Sequence, residues 1–277
     1  MSTSFAQINE GRKPVGGSPR NLHHLARIKR RSRMSKQLDW NRIDGIVLDA
    51  VGTLIKPTPS VADAYAEAAA RQGVRLASAD VRTRFRAAFG DDSIQGDRGI
   101  YSTDEDVERR RWRAIVAGVL PEIPDPARAF DELWDHFGRS EAWTCFPDVG
   151  PMVEAILEAG LKVCVGSNFD SRLRGVVAGL PELAEIVEDP VISSEVGFRK
   201  PHGSFFEAVA DRLDLPSDRI LSVGDDLEND VLGARRAGLW AIHVHRGGET
   251  AEDVAGALDL RGVIERRAGS LKLSGRV

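Results

Sequence analysis

The sequence predicts an α/β protein, a doubly wound parallel sheet with an all-helical domain inserted after its first strand. Three observations predict it. Five short apolar runs, at 45–49, 161–166, 191–193, 220–223 and 239–244, have the length and β-branched content of buried parallel strands. Helical patterns follow or separate the later runs, and that alternation argues for right-handed crossover units. Between the first two runs, residues 59–143 carry helical periodicity alone.

The elements follow in order. Gly45-Ile46-Val47-Leu48 reads as a central strand that places Asp49 at its carboxyl end, and Gly52-Thr53 then turns the chain away. In the insert, 60–73 begins at Ser60 as N-cap and ends at Gly73, with Val61, Ala64, Tyr65 and Ala68 on one face. Residues 78–90 repeat the pattern with Ser78 as cap. Ser102 and Glu105 suggest a capping box before a helix ending near Leu120. A fourth helix, 126–137, carries Phe130, Leu133, Trp134 and Phe137. Helices at 150–159, 203–213 and 229–237 belong to the sheet domain, the first and last ending at Gly160 and Gly238. The division expected is a basic tail over 1–38, a core over 39–58 and 144–265, a helical cap over 59–143, and a tail over 266–277. Trp112, Trp134 and Trp143 are expected in the core of the cap rather than against a ligand.

Composition sets limits. The chain has 277 residues, 42% hydrophobic, and a net charge of −4. Residues 1–38 carry nine Lys/Arg against one Glu, so the remainder is strongly acidic at −12. "RIKRRSRMSK" (27–36) has no apolar face and reads as a disordered tail; an arm for nucleic acid or an anionic surface, or a transit-like peptide, are the alternatives. Met34 is an alternative translation start. Nucleic acid is not the expected partner of the folded part. Two cysteines, Cys145 and Cys164, make no disulfide framework and point to a reducing cytoplasm. No apolar stretch approaches the ~20 residues of a membrane span.

Polar residues collect at the strand ends, where open α/β sheets bind ligands. Asp49 follows the first strand, Ser167 and Asn168 end the second, and Lys200 precedes Pro201 at a helix start. Asp225 ends the fourth strand, with Asp226 and Asp230 beyond it. A nucleophilic carboxylate, a hydroxyl, a cation and an acidic pair on one sheet edge suit phosphoryl chemistry. Each also has a structural reading: Asp49 and Ser167 as turn residues, Lys200 as a surface lysine, 225–230 as an acidic loop at a helix N-terminus, and Asp170 as the cap of the next helix. His202 reads as a helix start, and His243 and His245 straddle a strand end without other metal ligands.

These motifs, in this order, resemble those of the haloacid dehalogenase-like superfamily over residues 44–245. They are Asp49-Ala50-Val51-Gly52-Thr53-Leu54, then Ser167, then Lys200-Pro201, then Gly224-Asp225 with Asp230. "SNFDSRLRG" and "TLIKP" are most similar to the hydrolase domain-containing subgroup. The resemblance implies a helical first-type cap and a small phosphorylated substrate. It implies Asp49 as nucleophile forming an aspartyl-phosphate, and Ser167, Asn168 and Lys200 on the phosphoryl group, with Thr53 holding the loop. It implies Mg²⁺ held by Asp49, the Val51 carbonyl and Asp225, with Asp230 or Asp226 in support.

Val51 departs from the pattern. The family's phosphatases carry a second Asp there as general acid and base, and valine transfers no proton. Three readings stay open: a Mg²⁺-dependent phosphatase without its usual acid, a metal-independent 2-haloacid dehalogenase-type hydrolase, or a non-catalytic phosphate-binding protein.

Overall fold

A computed structural model describes residues 38, 40–90, 101–186 and 188–246. The basic segment 1–37, with Met34, and everything past 246, including the expected tail 266–277, lie outside the described residues.

After a 3-10 turn at Trp40–Arg42, the described residues form β1 (Gly45–Leu48) and β2 (Ile55–Pro57). It then enters four helices: α1 (Val61–Ala70), α2 (Ser78–Phe89), α3 (Glu105–Val119) and α4 (Pro126–Phe137). β3 (Trp143–Cys145) returns antiparallel to β2, closing the insert at its base. Next come α5 (Val149–Glu158), β4 (Lys162–Ser167), α6 (Arg172–Ala178), β5 (Val191–Ile192), α7 (Ser193–Val196) and α8 (Gly203–Leu213). β6 (Ile220–Gly224), a π-helical turn at Leu227–Leu232, α9 (Gly233–Arg236) and β7 (Trp240–His243) complete the described chain.

The main sheet is parallel in the order β5-β4-β1-β6-β7. β1 is central and every one of its residues is buried, which is why Gly-Ile-Val-Leu carries no alternation. The chain winds first to one side of β1 and then to the other, so the switch point lies at the carboxyl ends of β1, β4 and β6. Register does the rest. Leu48 pairs with both Val165 and Val223, so Asp49, Gly166 and Gly224 share one level and Ser167 and Asp225 follow immediately. One core lies where Val47, Phe205, Phe206, Val209 and Ile220 pack between sheet and helix. The insert has its own core, built on Tyr65, Ile115, Val119, Phe130 and Leu133.

The structure corrects several local expectations. Ser60 caps α1 as expected, its hydroxyl accepting from the Asp63 N–H. Ser78 does not cap α2; Ala77 occupies the N-cap, and the Ser78 hydroxyl donates to Asp63 Oδ1 at 2.6 Å instead. No Ser102–Glu105 capping box forms. Asp104 caps α3 by accepting from the Val107 N–H at 2.7 Å, which frees Glu105 to reach the sheet domain. It accepts there from the Ser171 N–H and hydroxyl and from the Ser194 hydroxyl. The helix expected at 229–237 starts earlier, as a π turn followed by one short α turn: Asp226 is its N-cap, accepting from the Glu228 and Asn229 N–H groups, and Asp230 accepts from the Asp226 N–H. The β2–β3 pair was not foreseen: two three-residue segments, one containing Pro57, are too short to show a period.

Candidate active site

Asp49, Asp225 and Asp230 converge at the switch point, each offering an oxygen within 4.8 Å of the others. Lys200 is set among them. Its Nζ donates to Asp49 Oδ1 at 2.7 Å, to Asp230 Oδ1 at 2.6 Å and to the Gly166 carbonyl at 3.0 Å. Asp49, Lys200 and Asp230 are all buried, while Asp225 stands exposed at the edge.

Two glycines permit this density. Gly52 has φ +90, a region other residues avoid, and a Cβ there would collide with the Asp225 carboxylate. A Cβ on Gly224 would collide with Asp230. The Thr53 hydroxyl donates to Asp225 Oδ1 at 3.1 Å, and the Asp226 N–H donates to Asp230 Oδ2 at 3.0 Å. Asp226 itself does not join the cluster; its side chain accepts from the Glu228 and Asn229 N–H groups.

Three carboxylates face one ammonium, and the electrostatics reflect it. Burial pushes Asp49 up to about 7, with Asp230 and Asp225 adding to the rise and Lys200 opposing it. Partial desolvation of its carboxylate at that edge raises Asp225 too, which the Thr53 hydrogen bond resists. Burial alone would lower the Lys200 ammonium, but Asp230 and Asp49 outweigh it and hold it above the usual lysine range. Oxygen donors with this excess of negative charge fit a hard divalent cation. Neither cysteine competes as a nucleophile, since burial pushes both thiols up to about 12.

The sequence matches the haloacid dehalogenase-like hydrolase family over residues 43–238. The chain belongs to the haloacid dehalogenase-like hydrolases. It is 28% identical over 208 residues to "Haloacid dehalogenase-like hydrolase domain-containing protein 3" of Danio rerio, covering 73% of this chain and 84% of that protein. It is 29% identical over 177 residues to "Phosphatase MT3486" of Mycobacterium tuberculosis, covering 62% and 78% respectively. Among solved structures, the defluorinating L-2-haloacid dehalogenase Rha0230 aligns with a TM-score of 0.62 over 82% of this chain and 95% of that one. At 21% identity, that likeness is one of fold.

In this hydrolase the other residues singled out from sequence take distinct places. Ser167 is buried at the end of β4 and lines the cavity above Asp49. Asn168 also lines the cavity and clamps the Lys200 backbone: its Oδ1 accepts from the Lys200 N–H at 2.7 Å and its Nδ2 donates to the Lys200 carbonyl at 3.0 Å. Val51 is exposed on the cavity wall. Asp170 accepts from the Arg172 N–H, Nε and Nη2, and so both starts α6 and fixes that arginine. His202 caps α8 through Nδ1. His243 is a residue that sequence reasoning undervalued; its Nε2 lies 2.8 Å from the Asp225 carbonyl and, as the donor, steadies that loop. Arg246 was missed entirely. It donates twice to the Thr53 carbonyl and binds Asp148 through Nη1, holding the loop after β1.

Above this floor lies a cavity of about 880 Å³, walled on its far side by the helical insert. Trp143 is buried as expected, and Trp112, Trp134 and Trp143 also border this cavity. Trp112 and Trp134 pack partly against the insert's core and turn their remaining surface to the cavity, because a single layer of helices must cover both. Among the described residues, no helix is long and apolar enough to cross a membrane.

Proposed function

We propose that this hydrolase is a Mg²⁺-dependent phosphatase of small phosphate esters, working through an aspartyl-phosphate on Asp49. The observation that carries the reading is the cluster of Asp49, Asp225 and Asp230 around Lys200 at the floor of a walled cavity. A relative named as a phosphatase supports it. The same acidic floor opposes a bare carboxylate beside Asp49, as dehalogenation would require.

Lys200 anchors Asp49 Oδ1 and so fixes the rotation of the carboxylate, leaving Oδ2 for attack on phosphorus. The P–O bond to the leaving group breaks as the P–O bond to Asp49 forms, and the departing oxygen takes its proton from solvent because Val51 has none to give. Water then attacks the aspartyl-phosphate; the bond to Asp49 breaks, inorganic phosphate leaves and the carboxylate is regenerated. Ser167 and Lys200 bind the transferring oxygens, and Thr53 holds Asp225 in place. Asp49, Asp225 and the Val51 carbonyl would hold Mg²⁺, with Asp230 supporting through Lys200 and the Asp226 N–H. When bound, the ion supplies positive charge that keeps Asp49 ionised and draws charge from the phosphoryl oxygens. The helical insert walls the site, limits it to the few waters the reaction uses, and selects the leaving group.

A screen of phosphate esters with and without Mg²⁺ tests the reading. Turnover is expected with Mg²⁺ and is expected to vanish in Asp49→Asn. Turnover that survives that change would remove Asp49 from the mechanism. In calorimetric titration, Asp225→Ala is expected to weaken Mg²⁺ binding at least about tenfold, the lower end of the loss typical when metal-site support is removed. Unchanged affinity would take Asp225 out of the metal site.

A further inference from the structure

Three arginines line the wall of the cavity: Arg111, Arg172 and Arg199. Arg172 is fixed by Asp170 and by the Trp134 carbonyl, to which its Nη1 donates at 2.6 Å. Arg199 donates from Nη2 to the buried Glu108 at 3.1 Å. Arg111, on α3, is held differently. Its guanidinium lies 4.8 Å from the centre of the Phe89 ring and 5.8 Å from that of Trp112. Its ion-pair partner among the described residues is Glu108 Oε2 at 3.6 Å, longer than a hydrogen bond. That same carboxylate also accepts from the Thr103 hydroxyl at 2.6 Å and from Arg199.

A guanidinium cannot shed its charge inside a protein, and its planar fork has five donors. Arg111 is 12% exposed, so little water reaches those donors. Burial pulls it below the usual arginine range, and nearby Arg199 works in the same direction against Glu108. Elsewhere on the lining the cavity carries Asp225, Asp226, Glu228 and Asp230. A ligand with an anion away from its ester phosphate is repelled there and finds its counter-charge at Arg111. Beside Arg111, Phe85 stacks on both Phe89 and Trp112, giving the cavity a flat apolar wall.

We propose that Arg111 selects the leaving group, and that the substrates are phosphate monoesters carrying a second anionic group, carboxylate or phosphate, on an apolar spacer. This rests on the phosphatase reading of Asp49. Arg111 takes the second anion through its fork while the ester phosphate lies over Asp49 and Lys200.

The test uses phenyl phosphate bearing a para methyl, carboxylate or second phosphate group. Affinities are measured by calorimetry on Asp49→Asn with Mg²⁺, and kcat/KM on the unaltered protein. One or both anionic esters are expected to bind about 10–100-fold more tightly than the methyl ester, the range for hydrogen bonds to charged groups. Which of the two binds tighter separates carboxylate from phosphate as the natural group. Adding Arg111→Gln should erase that preference while leaving the methyl ester's affinity unchanged, and Arg111→Lys should keep part of it. Equal kcat/KM for all three esters on the unaltered protein, which needs no variant to fold, would overturn the proposal and leave the phosphatase reading intact. A preference that persists in a folded Arg111→Gln would also overturn it. Failure of every ester to bind or react would overturn both.

Discussion

Lys200→Met is expected to lower the stability of the metal-free protein by about 3–5 kcal/mol, the usual cost of removing one partner from a buried ion pair. Lys200 is 4% exposed and its Nζ is shared by two carboxylates and a backbone carbonyl. Methionine fills most of the volume and provides no donor. Asp49 and Asp230 would then face each other in a buried site with no cation between them. Turnover should fall by about 10²–10³-fold or more, since a donor to the transferring oxygens is lost as well. Urea denaturation with and without Mg²⁺ measures the first effect, and Mg²⁺ should restore part of the loss by binding only the folded state. An unchanged midpoint without Mg²⁺ would show that Lys200 is not the counter-charge of this pair.

The loss in that variant reaches residues that the sequence displays unevenly. β1 and β6 were legible because buried parallel strands are continuous apolar runs, and α4 because its apolar residues recur on one face. That Asp49, Ser167, Lys200 and Asp225 come together was legible because each lies at a strand end or just before a helix, and the common register of β1, β4 and β6 brings the strand-end groups to one level. What could not be read is what depends on contacts between distant segments. Glu105 has the look of a cap residue, and only the folded chain takes it to Ser171 and Ser194, 66 and 89 positions away. Arg246 meets Thr53 across 193 positions, and Arg199 meets Glu108 across 91. Asn168 looked like a ligand contact because amides at strand ends often are. The fold also gives it the backbone of Lys200 as a partner, a tie across 32 positions that no local pattern shows.

Val51→Asp is expected to accelerate hydrolysis of unactivated alkyl phosphates by about 10²–10⁴-fold, the contribution typical of a positioned general acid or base. That corresponds to roughly 3–5 kcal/mol of barrier. Asp49, Lys200 and the acidic cluster are assembled without it, so under the proposed mechanism the wild type lacks a proton donor rather than a site. The position can accept the change. Val51 is 37% exposed and lines the cavity, so a carboxyl there stays hydrated and costs the fold little. Val51 and Ile55 form a backbone bridge, and the Gly52 N–H donates to the Ile55 carbonyl at 2.9 Å; neither uses the valine side chain. One term opposes the gain, because a further carboxylate beside Asp49 adds repulsion that Mg²⁺ must offset. Aryl esters should gain far less, as their leaving groups need little protonation. Comparing kcat for an alkyl and an aryl ester in wild type and variant, with folding and Mg²⁺ affinity verified, reads the difference directly. A folded, Mg²⁺-binding variant that gains on neither ester would place the limit elsewhere than in the missing acid, and would favour a base supplied by the substrate or by another residue of the cavity.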